Sequence, residues 1–428
     1  MKEQLIKSSD STRRRFMAHT ASSLLGVGLA PALSGRLMAA GEKASPLTQV
    51  QSAKRVIYLY MSGGMTHMDT LDVKPGHENQ GPVKAINTTG DYQISEYLPM
   101  LAEHGNKMAV VNSMISKTGA HAQARYLAHT SYEMRGTIKH PALGAWLLQF
   151  QGQLNPTIPG NVVIGGGSRH PGAGFFPQKV GPLMMGAPDR GLQNVATKMD
   201  QEDFEFRTGL SQKLGKEFTT RYDHKKIKSY GEAYDDALKL MSSQDLKAFD
   251  IKQESEKVRK AYGDSQFGQG CLLARRLIEN DVRFVEVSLG GWDTHGQNFV
   301  RVPQRCNDLD RGMAALISDL DNRGLLEDTM VVLATEFGRT PRINQNVGRD
   351  HYPKAFSGAI IGGGVTSQKY GKSSAGGEEV EENPVTHADF NATISYGLGL
   401  PLNHVLYSPS KRPFTVAQNG QPVTKLFA

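Results

Sequence analysis

The sequence predicts one large α/β domain built around a doubly wound sheet, and three observations carry that prediction. Short β-branched runs recur along the chain, and segments with apolar residues every three or four positions stand between them. The 46 glycines are spread over many strand-to-helix turns instead of collecting in one linker. With 428 residues, the chain is long enough to bury a large core.

In chain order, the first element is a leader. Thr12-Arg13-Arg14-Arg15-Phe16-Met17 precedes a mildly apolar stretch at residues 18–33 and reads as a twin-arginine export signal. The stretch is about 16 residues long and broken by polar side chains, short of the ~20 apolar residues of a stable membrane span. Residues 1–40 are therefore expected to engage the twin-arginine translocation machinery and to be removed, with the cut near 34–41 and no stable membrane span left. The mature protein is expected in the periplasm or outside the cell. That route carries folded proteins, often metal-loaded, so a metal site is worth seeking.

The formal charge of +7 is partly the leader's own, because residues 1–40 hold six Lys or Arg against two Asp or Glu, leaving 43 against 40 in the rest. A nearly balanced chain without a basic stripe or recognition motif excludes a nucleic-acid partner. Cys271 and Cys306 are the only cysteines, too few for a disulfide scaffold or a thiolate metal site. They read as two buried small hydrophobes, with one disulfide as the alternative.

A single domain is expected over residues 50–428. Residues 55–60, 108–111, 161–164, 283–287, 330–334 and 359–361 read as buried parallel strands, with helices between them at 271–279 and 307–322. Residues 200–262 are charged, with helical periodicity and few β-branched runs, and predict a helical insertion. Residues 366–384 have loop composition.

Ligands of an open α/β sheet bind beyond the carboxyl ends of its strands, so the residues after each apolar run carry the chemistry. These are rich in His and Asp: His67 and Asp69 after the first run, Asp293 and His295 after the fourth, and Glu336 with Asp350 and His351 after the fifth. Carboxylates combined with imidazoles suit zinc, manganese or a similar divalent ion. Asp293-Thr294-His295 suits this chemistry because residues two apart on an extended strand end point the same way. For His67 and Asp69 a ligand pair and a glycine turn packed beneath the sheet are equal readings.

Gly63-Gly64 with the segment 66–75, Trp292-Asp293-Thr294-His295, Glu336-Phe337-Gly338-Arg339-Thr340-Pro341 and Asp350-His351, together with the leader, resemble the DUF1501 family (domain of unknown function 1501). The resemblance spans nearly the whole mature chain. Because that family is grouped with the alkaline-phosphatase-like fold of sulfatases and phosphatases, the resemblance implies a mixed, mainly parallel sheet sandwiched between helices. It further implies a divalent metal, with zinc, manganese, calcium and magnesium all open. Asp293 and His295 resemble the ligands of one ion, Glu336, Asp350 and His351 lie where those of another are expected, and His387 resembles a late superfamily histidine. Where the superfamily has a metal-binding Asp right after its first strand, this chain has Ser62-Gly63-Gly64, and Asp69 would have to replace it from a loop.

No sulfatase or phosphatase nucleophile motif occurs. The comparable region is residues 116–125, where a helix beginning near His121 would offer backbone N–H groups to an anion, with Arg125 about one turn in. Ser116 and Thr118 are the candidate attacking hydroxyls, or caps, and His121 stands beside them. Arg339 would pair either with substrate oxyanions or with Glu336. The expected function is an exported metal-dependent hydrolase of phosphate or sulfate esters, small or polymer-borne. The alternative is a non-catalytic envelope binding or assembly protein that keeps the fold.

Overall fold

The structure, a computed structural model, describes residues 51–427 apart from 167–168, 194, 196–198 and 222–224. The predicted leader lies outside the described residues. Nine strands form the main sheet: β1 (Arg55–Met61), β2 (Met108–Ile115), β3 (Asn161–Ile164), β4 (Leu183–Met185), β5 (Phe284–Leu289), β6 (Thr329–Ala334), β7 (Phe356–Ile361), β8 (Gln368–Tyr370) and β9 (Val385–Thr386). Their order is β8-β2-β7-β6-β1-β5-β3-β4, with β9 also paired to β2.

The described helices that matter below are α1 (His121–Thr130), α2 (Leu143–Gln151), α3 (Gln201–Arg221), α4 (Lys225–Met241), α5 (Gln266–Glu279), α6 (Asn298–Asn322) and α7 (His387–Gly397). Charged α3 and α4 occupy the span where a helical insertion is expected.

Both faces of the sheet are covered, which is why its strands read as continuous apolar runs. Alternate residues Ile57, Leu59 and Met61 of β1 join the cluster containing Cys271 and Leu272 of α5 and Leu309 and Met313 of α6. Val56, Tyr58 and Tyr60 turn the other way, toward Ala128 of α1, Trp146 of α2 and Phe390 of α7. Cys271 and Cys306 are both buried and free, as small apolar members of the first layer, so the disulfide alternative fails.

One strand departs from the expected direction. β7 pairs antiparallel with both β6 and β2, whereas the other main-sheet pairings are parallel. The reason is its connection: residues 335–355 contain no helix to carry the chain back, so the strand returns from the edge where β6 ends. The span 366–384, expected as loop, supplies β8 and a small ribbon of Lys372–Ser373 with Val380–Glu382. The shared direction of β1, β2, β5 and β6 brings the segments that follow them to one edge.

Candidate metal centre

The site is assembled from those segments. Glu336 follows β6 and is fully buried, accepting hydrogen bonds from Tyr60 Oη at 3.0 Å and from the Gly63 N–H at 2.9 Å. Gly63 has φ +119°, and a Cβ there would stand 2.6 Å from the Asp293 nitrogen, so only glycine lets the β1 and β5 segments approach this closely. His121 opens α1, and its Nδ1 lies 2.9 Å from Glu336 Oε1. Burial works against ionised Glu336, but the bonds from His121, Gly63 and Tyr60 outweigh it and hold the carboxyl below its ordinary range.

Three imidazoles converge on Asp293. Its Oδ2 lies 3.4 Å from His121 Nε2, and its Oδ1 lies 3.1 Å from His295 Nε2 and 3.2 Å from His351 Nε2. The Nε2 atoms of His295 and His351 are 3.0 Å apart, and His295 Nδ1 meets Asp350 Oδ1 at 2.6 Å. Arg339, fully buried, bonds the same Asp293 oxygen and is anchored by the carbonyls of Gly63, Gly64 and Arg349. Partial burial opposes the Asp293 charge, yet Arg339 and His351 bring its pKa down to about 2. Burial and the Arg339 charge push His351 down, and the His295 bond holds Asp350 low.

These residues fit a metal ion. With Nδ1 of His121 and of His295 each against a carboxylate, both rings aim Nε2 at Asp293, where either a second ring proton or a metal ion would balance the carboxylate. His121 Nε2 is buried and has no hydrogen-bond partner. His295 adjoins the other donors, its Nε2 3.1 Å from Asp293 Oδ1 and 3.0 Å from His351 Nε2. His121, Asp293 and His351 also form one of two groups of close, metal-competent donors among the described residues.

Residues 53–427 match the family described as "Protein of unknown function (DUF1501)". The chain belongs to the DUF1501 family. No curated protein matches it. Among solved structures, this DUF1501 chain is similar to the lipoteichoic acid synthase LtaP from Listeria monocytogenes, at 10% identity and a TM-score of 0.42, covering 89% of this chain and 78% of that one. It is also similar to the PsFucS1 sulfatase from Pseudoalteromonas sp., at 12% identity and TM-score 0.40, covering 87% and 74%. A third is the C-terminal periplasmic domain of EcEptC from Escherichia coli in complex with Zn, at 10% and 0.40, covering 88% and 95%.

The other expected site residues of this DUF1501 protein fall elsewhere. Asp69 is fully buried in a two-pronged ion pair with Arg349, at 2.9 and 3.0 Å, and also accepts from Thr66 and Asn298, which leaves it no role as the missing first-strand ligand. His67 is buried, with its Nε2 2.9 Å from the Gly377 carbonyl. His387 lies behind the site with Nε2 2.9 Å from the Glu336 carbonyl. Glu336 and Asp350, expected as direct ligands, meet His121 Nδ1 and His295 Nδ1, on the side of each ring away from Asp293. Arg339 pairs with Asp293, not Glu336. Ser116 Oγ donates to the Thr118 carbonyl, and Thr118 Oγ1 accepts from the Ala120 N–H, so both hydroxyls serve the loop before α1.

Arg125 reaches Ser62 Oγ at 3.0 Å, and its Nε is buried without a partner. No side chain caps the first turn of α1. Sequence reasoning missed one group altogether: Glu286, His129 and His170, buried inside the fold. A carboxylate in the middle of the apolar run 283–287 was its only signal.

Proposed function

We propose that this chain is an exported metal-dependent hydrolase of phosphate or sulfate esters, with His121, Asp293, His295 and His351 as the donors to one divalent ion. The observation that carries the reading is that two imidazoles, each with Nδ1 held by a carboxylate, aim Nε2 at the same Asp293. Three nitrogens and a carboxylate favour a borderline ion such as zinc over calcium or magnesium. A bound ion supplies Lewis acidity toward an ester oxygen and lowers the pKa of water.

The chain's own groups do the rest. Uncapped N–H groups at the start of α1 and the Arg125 guanidinium suit the remaining oxygens of a tetrahedral anion. Arg339 fixes the Asp293 carboxylate, and Glu336 fixes the tautomer of His121. Ser116 and Thr118 are engaged with backbone, so water is the better nucleophile.

A second reading, a non-catalytic envelope binding protein, is favoured by the glycine pair that stands where a carboxylate would follow β1. One experiment separates them: metal analysis of the purified protein with a panel of phosphate and sulfate esters. About one equivalent of zinc at this centre and hydrolysis lost in Asp293→Ala support the enzyme. Metal without hydrolysis supports the binding protein, and no metal at this centre overturns both the donor set and the enzyme.

A further inference from the structure

We infer that a second, inner cation site is formed by Glu286, His129 and His170. It is independent of the centre at Asp293. Glu286 sits in mid-strand β5 beside Tyr58 of β1, His129 lies in the last turn of α1, and His170 is in the segment after β3. All three side chains are at most 5% exposed.

His129 Nε2 lies 3.2 and 3.1 Å from the two Glu286 oxygens, and His170 Nε2 lies 3.3 Å from Oε2. These spacings match the ~3.3 Å edges of a tetrahedral zinc shell. His129 Nδ1 donates to the Arg125 carbonyl at 2.8 Å, so the nitrogen that faces the carboxylate is the one free to bind a cation. The three residues border a cavity of about 10 Å³, room for a single atom-sized occupant. Asn161 lines the same cavity, is buried, and has an Oδ1 without a hydrogen-bond partner, so the cavity holds an unsatisfied polar atom besides the three side chains.

Without the ion, a second proton on His129 would balance Glu286, and His170 donates from Nε2 because its Nδ1 accepts the Gly172 N–H at 3.0 Å. The ion displaces the His129 proton, and the His170 proton moves to Nδ1 at the expense of the Gly172 bond. This cost makes the inner site the weaker of the two, and its imidazole and carboxylate donors suit a borderline ion such as zinc or cobalt(II).

The test is zinc titration of metal-stripped full-length protein, read by elemental analysis after gel filtration. Wild type should take two equivalents, Asp293→Ala one, and Glu286→Gln one. His170→Asn, a milder change should Glu286→Gln fail to fold, should also take one. Zinc bound by Asp293→Ala and lost on adding His170→Asn supports the inner site even if the esterase reading fails. Asp293→Ala without zinc, or His170→Asn with wild-type content, overturns it and leaves a buried imidazolium–carboxylate pair.

Discussion

His121 Nδ1 lies 2.9 Å from Glu336 Oε1, while the opposite nitrogen of the same ring faces Asp293 at 3.4 Å. One imidazole therefore links a fully buried carboxylate to a half-exposed one, and the buried partner decides which nitrogen is bare. Replacing Glu336 by Gln removes the charge that holds the proton on Nδ1 and should weaken zinc binding about 10–100-fold. Competition with a chromophoric chelator measures this, and unchanged affinity would show that Glu336 does not orient His121.

Asp69→Ala should act on stability instead. It leaves Arg349 charged and fully buried without its partner, a change that costs about 3–5 kcal/mol in comparable sites. Urea denaturation should show the loss, with metal content per folded chain unchanged. A stable variant that had lost its metal would return Asp69 to the ligand set.

Much of the sheet was legible because strands buried on both faces leave continuous apolar runs, as at 55–60 and 330–334. Direction was not legible at β7, since nothing in Phe356–Ile361 itself says that the preceding connection lacks a helix. The start of α6 was hidden by Pro303, which lies inside the helix although proline ordinarily interrupts one. Within the site, strand-end clustering located Asp293, His295, Glu336, Asp350 and His351. It could not show that Glu336 and Asp350 would meet the Nδ1 atoms of His121 and His295, because a carboxylate that binds an ion and one that orients an imidazole look alike at a strand end. Asp69 misled for a similar reason: its partner Arg349 is distant in sequence and becomes its neighbour only through the fold.

His387 gives a pH prediction with a defined sign. Burial holds its pKa down at about 4, so between about 6.5 and 4 the unfolded chain binds a proton that the native chain does not. Its contribution to stability is present above about 6.5, falls as the pH drops, and is fully lost below about 4. Urea unfolding of metal-free protein across this window should become less steeply pH-dependent, by about one proton, in His387→Gln. Equal slopes would mean that His387 is protonated in the native state.

The two cysteines predict a difference in reactivity. Both thiols are buried in the same apolar layer, and burial pushes their pKa values up. A thiol reagent should find no reactive group in the native protein and two in denaturant, without prior reduction. A single reactive thiol in the native state would place one of them outside the core.

Gly63 tests whether the approach of β1 to Asp293 builds the centre. At φ +119° any other residue is strained, at about 1–3 kcal/mol, and a Cβ 2.6 Å from the Asp293 nitrogen must also move that backbone. Gly76→Ala is the control, because Gly76 shares a positive φ of +83° but has open space around a Cβ. Gly76→Ala should lose modest stability and keep its metal, whereas Gly63→Ala should lose more stability and at least tenfold in zinc affinity, about 1.4 kcal/mol. If both variants bind zinc as wild type does, the position of Asp293 is not set by this contact.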